Sequence, residues 1–86
     1  MKLKLQLVKR DIAGDIILVP VGEATTKIKG LITINETGAA IWDALPEAEN
    51  EEAIVDRLFE EFDAGRDELC KDVDEFLDKL RELDII

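Results

Sequence analysis

The sequence predicts an α+β domain: a three-stranded antiparallel sheet followed by three helices. Two observations carry this reading. Apolar residues alternate at period two as far as Ile34, then recur at period 3.6 to the end of the chain. Asn, Gly and Pro fall at the joints between these runs, where caps and turns need them.

The strands come first. Leu3, Leu5 and Leu7 alternate with Lys4 and Gln6, which places the leucines on one face. Apolar runs over residues 8–13 and 16–21 flank Gly14-Asp15, a hairpin signal. Pro20 marks an edge or a bend. Residues 22–27 are polar and read as a loop. Ile28, Gly30, Ile32 and Ile34 then alternate with Lys29, Leu31 and Thr33, predicting a third strand over 28–34.

The helices follow. Asn35 is placed to cap the first, with Glu36 in its first turn, where negative charge is favoured. Ile41, Trp42 and Leu45 share one side of it, and Pro46 ends it. Asn50 caps the second, whose apolar stripe is Ile54, Val55, Leu58, Phe59 and Phe62. Residues 63–65 interrupt the pattern. The third helix runs over 66–83, with Leu69, Cys70, Val73, Phe76, Leu77, Leu80 and Leu83 apolar. At 100° per residue these cover an arc of about 140°, wider than a core stripe requires. Phe76 stands at one margin, flanked by Asp72 and Lys79, and is the residue expected to line a groove beside the sheet. Trp42, Phe59 and Phe62 are expected in the core, and Cys70 as a small buried hydrophobe.

At 86 residues the chain is long enough for one core, read as a single domain over 1–86. No stretch approaches the roughly 18 apolar residues that span a bilayer. The opening MKLKLQLVKR lacks the apolar block of a signal peptide. With a lone cysteine, these features give a cytoplasmic, membrane-free expectation. Residues 1–30 carry a net +3 and residues 31–86 a net −13, within a total of −10. Such a field repels phosphate backbones and argues against nucleic acid. There is no histidine or tyrosine, no zinc-ligand set, no calcium loop and no phosphate loop. No catalytic residue, metal or cofactor is therefore expected, and the chain reads as a binding domain rather than an enzyme.

Two segments carry a family resemblance. Residues 30–42, GLITINETGAAIW, and residues 72–80, DVDEFLDKL, resemble the PqqD-like family. Its pattern is an apolar strand, then L-N-E-T-G/A-A-x-I-W/L, an acidic helix and D-V-x-x-F-L-x-x-L. Ile34 replaces the leucine, Ala64-Gly65 a hydrophobic-Asp pair, and Asp84 a more usual glycine; the last two bear on the ends of the final helix. The similarity runs from about Val8 to Ile86. It implies a winged helix-turn-helix-like fold used as a peptide recognition element. Such domains bind the leader of a ribosomally synthesised precursor peptide, in pyrroloquinoline quinone (PQQ) biosynthesis and other pathways. They present it to a modifying enzyme, often a radical S-adenosylmethionine enzyme. The leader adds a strand to the third strand and lies against the third helix. Carried onto this chain, the implied contacts are Ile28, Leu31, Ile32, Thr33, Asp72, Val73, Phe76, Leu77 and Leu80. The apolar margin at Phe76, together with Lys27 and Lys29 on or beside the strand, adds the expectation that the leader offers two or more apolar contacts and at least one acidic residue; Lys79, beside Phe76, is a further implied contact.

Two other functions share this fold. A winged-helix DNA-binding domain would use the third helix for recognition, yet four basic residues there face seven acids. A small subunit that only scaffolds an enzyme has the same sequence features, and peptide binding separates it.

Overall fold

The hairpin sets the frame. In the computed structural model, which describes all 86 residues, β1 (Leu7–Ile12) pairs antiparallel with β2 (Asp15–Pro20). The turn is Ala13-Gly14, one residue earlier than the sequence pattern indicates, with φ of 53° and 88°. Positive φ at both central residues is what a tight two-residue hairpin requires. β3 (Ile32–Ile34) joins the other side of β2, giving the order β1-β2-β3.

Two expectations change between β2 and β3. The polar stretch read as a loop contains α1 (Ala24–Lys27), a single turn. Thr25 and Thr26 donate side-chain hydrogen bonds to the carbonyls of Gly22 and Glu23, and Ala24 is buried. The third strand also starts at Ile32 rather than Ile28. Gly30 takes φ +93°, a left-handed conformation that bends the chain out of extension. Ile28 lies buried ahead of this bend, outside the strand.

Both asparagine caps form as expected. Asn35 accepts from Gly38 N at 2.8 Å and opens α2 (Glu36–Ala44). Asn50 accepts from Ala53 N at 2.9 Å and opens α3 (Glu51–Glu61). α4 (Arg66–Glu82) starts at Gly65 without a side-chain cap. It ends with Asp84 at φ 61°, Asp84 N donating to Arg81 O and Ile85 N to Leu80 O. These two bonds form a Schellman closure, and Asp84 adopts the conformation a glycine takes most easily. Ile85 is fully buried beneath it.

The core lies between the sheet and the helices. Leu18 of β2 shares one buried cluster with Ile41 of α2 and Leu45 at its end, Ile54 and Leu58 of α3, and Leu69, Val73, Leu77 and Leu80 of α4. Trp42 is buried and Phe62 packs at the edge. Phe59 and Cys70 differ from expectation: Phe59 is 48% exposed, and Cys70 is exposed. Both stand at margins of their stripes, and the facing rows of α3 and α4 close the seam without them. The Arg66 guanidinium covers Phe59 at 5.7 Å from the ring centroid. Residues 1–6 are not a strand. Lys4 N donates to Ile85 O at 2.6 Å, so this segment runs beside the end of the chain, with Leu5 buried and Leu3 exposed. No helix is long and apolar enough to cross a membrane.

Candidate functional site

β3 is an edge strand, and the register determines which of its backbone groups are free. Val21 N donates to Gln6 O, one step beyond the Leu7–Pro20 pair. Bonded pairs recur at every second residue of an antiparallel ladder. Asp15, Ile17 and Val19 therefore aim their N–H and C=O at β1, while Ile16 and Leu18 aim theirs at β3. Ile16 opposes Ile34, and Leu18 opposes Ile32. These two residues of β3 thus spend their backbone groups on the sheet. Thr33, opposite Ile17, turns its N–H and C=O to the open edge.

Side chains alternate as well. Ile32 is buried on the core side and Thr33 is exposed on the outer side. Beyond the edge on the core side stands α4. Thr33, Ile34, Asn35, Phe76 and Lys79 surround a hollow of about 170 Å³. A second hollow of about 220 Å³ continues between α2 and α4, bounded by Asp72, Glu75, Thr37 and Gly38 with the same Phe76 and Lys79. Phe76 is half-buried and forms the shared wall. Gly38 lets it approach: a Cβ there would meet the Phe76 Cε1, the Ile34 Cβ and the Asn35 Oδ1, each at 3.2 Å. At the opposite end of β3, Leu31, Gly30, Lys29 and Ile28 border a hollow of about 290 Å³ with Val19 and Pro20.

Lys4, Lys9, Arg57, Arg66 and Arg81 are engaged in ion pairs. Lys29 and Lys79 form none, and neither do Lys2, Arg10, Lys27 and Lys71 elsewhere on the surface. Lys79 and Lys29 thus stand as free cations beside the hollows at the two ends of the open strand. On the far side, Glu51 of α3 faces Asp74 of α4. Burial, then the Asp74 carboxylate, raises the Glu51 pKa above its ordinary value. The buried Glu51 Oε1 has no donor. Two ionised carboxylates have no proton to share, and protonating Glu51 supplies one. That face also has a hollow of about 620 Å³, bordered by Glu51, Glu52, Val55, Arg66, Cys70, Lys71 and Asp74. No group of three or more His, Cys, Asp or Glu side chains is placed to hold a metal.

The residues singled out from sequence thus separate by depth. Leu31, Thr33, Phe76, Lys79 and Asp72 border the edge and its hollows, with Lys29 at the far end. Lys27 is exposed at the end of α1. Ile28, Ile32, Val73, Leu77 and Leu80 are buried and belong to the core that holds this surface in place. Sequence reading included Ile34 in the binding strand but missed Asn35 and Gly38 as groove residues. Asn35 was assigned only its cap, and no period in the sequence reveals that Gly38 faces Phe76.

Comparison with known proteins adds two findings. The family described as coenzyme PQQ synthesis protein D (PqqD) matches residues 16–86. A solved structure of TbiB1 in complex with the TbiA(beta) leader peptide superimposes with a TM-score of 0.71 at 24% identity. That alignment covers 99% of this chain and 93% of the other. No curated protein sequence matches.

Proposed function

The chain belongs to the PqqD family, and on that premise we propose that it binds the leader of a ribosomally made precursor peptide and presents it to a modifying enzyme. The carrying observation is the open edge at Thr33 beside the Phe76 and Lys79 hollow. An extended peptide laid along β3 satisfies the Thr33 N–H and C=O, and its alternate side chains enter the hollow. The structural neighbour captured with a leader peptide supports this reading. The role is one of binding and delivery; catalysis belongs to the partner, often a radical S-adenosylmethionine enzyme in this family.

Peptides from short reading frames beside the gene, labelled and titrated with the purified protein, test the proposal. Saturable binding that shifts the amide resonances of Ile32, Thr33 and Phe76 is expected. Failure of every such peptide to bind, or binding that shifts only the α3–α4 face, contradicts it.

A further inference from the structure

The register that leaves Thr33 free also dictates what a bound strand presents. Because the Thr33 N–H and C=O both face outward, the peptide residue opposite Thr33 exchanges both bonds with it. Call that residue the middle one. Its side chain shares the outer face with that of Thr33, away from α4. Its two neighbours oppose Ile34 and Ile32, and their side chains turn inward. The first meets Ile34 and Phe76, and the second lies beside Ile32. Gly30, at φ +93°, ends the extended edge soon after, so few further main-chain bonds are available. Side-chain pockets rather than a long ladder must then supply the selectivity.

Direction follows from the sheet. Every pairing in it is antiparallel, the more stable arrangement per residue. An antiparallel peptide brings its amino-terminal side past Ile34 towards Lys79, and its carboxy-terminal side past Leu31 towards Lys29. Both lysines lack an ion-pair partner.

We propose that the β3 edge reads an apolar–any–apolar core, bonded to Thr33 through its middle residue, with an acidic residue on the amino-terminal side recognised by Lys79. Lys79 is thus a specificity-determining residue, and Lys29 has the same role on the carboxy-terminal side. This rests on the peptide-binding function proposed above and specifies its ligand.

Selection from a phage-displayed library of random dodecapeptides against the immobilised full chain tests it, with Lys79→Glu and Lys29→Glu selected in parallel. Both lysines are surface groups without partners, so the variants retain the fold, which circular dichroism checks. The wild type should enrich two apolar residues separated by one position. Acidic residues outside that core should be enriched about twofold to fivefold, the range an exposed ion pair supports. Lys79→Glu should remove or invert the acidic preference on the amino-terminal side only, and Lys29→Glu on the carboxy-terminal side only. The reverse mapping means a parallel strand and overturns the proposal. So does a core with adjacent or more widely spaced apolar residues, an unchanged motif in both variants, or no enrichment. If the motif fails while a leader encoded beside the gene still binds, peptide binding stands and this specificity falls. If neither binds, the functional proposal itself is contradicted.

Discussion

Phe76 shows how one side chain serves two roles at once. Its ring packs against the core and walls both hollows beside the strand edge. Phe76→Ala should weaken leader binding by roughly 1–3 kcal/mol, as for a central aromatic contact. Because the ring is only half-buried, the loss of folding stability should stay below the roughly 3–5 kcal/mol of a fully buried phenylalanine. Calorimetric titration and thermal melts on the one variant measure both. The margin of the helical arc made Phe76 legible in the sequence. The same arc placed Cys70 at its other margin, where the expectation of burial failed: the side chain is exposed and borders the hollow it shares with Glu51, Glu52 and Val55 of α3. Glu51 makes a pH-dependent prediction. Its pKa is raised in the folded state, so the folded form binds its proton more tightly than the unfolded chain does. This site therefore opposes folding at neutral pH, and the penalty fades as pH falls through the raised value towards the ordinary one. Glu51→Gln gives Asp74 a permanent N–H donor but removes a favourable charge from the first turn of α3. A net gain of a few tenths of a kcal/mol is expected at pH 7, shrinking on acidification. Melts of both proteins between neutral and acid pH check it; a gain that grows on acidification contradicts it.

Elements were legible where a local residue determines them. Asn35 and Asn50 cap the helices that their positions announce, since a side-chain oxygen three residues ahead of an orphan N–H needs no tertiary help. The start of β3 was not legible. Ile28, Gly30 and Ile32 fit an alternating strand, and only the left-handed φ of Gly30 shows that extension begins later. α1 was hidden for a similar reason: two β-branched threonines do not favour a helix, and a single turn closes there through hydroxyl-to-carbonyl bonds. The end of α4 yields a prediction of its own. Asp84 holds a positive φ without the freedom of glycine, a cost of about 1 kcal/mol for an L-residue. It also carries an exposed ion pair with Lys4, worth little. Asp84→Gly should therefore raise stability by about 0.5–1 kcal/mol, read from chemical denaturation midpoints at unchanged slope.

Across the whole molecule, charge separates along the chain: the first thirty residues are net basic and the remainder strongly acidic. α4, which a winged-helix DNA reader would insert into a groove, carries seven acids. The protein should therefore leave duplex DNA unretarded in a gel-shift assay at moderate salt. Its sheet has two open edges but only β3 adjoins hollows walled by α4, which is why a peptide is assigned to that side. Which backbone groups face outward could not be read from β3 itself. It depends on the β1–β2 ladder, which fixes the phase of β2 and through it that of β3. That dependence makes strand addition testable with proline, which removes one N–H donor. The most direct measurement compares Thr33→Pro with Ile32→Pro, each examined by circular dichroism and by titration with a leader peptide that binds the wild type. Ile32→Pro breaks a bond of the internal ladder and should unfold or strongly destabilise the domain. Thr33→Pro should remain folded and lose most of its affinity for the leader. A folded Thr33→Pro protein that binds with unchanged affinity contradicts main-chain pairing at this edge.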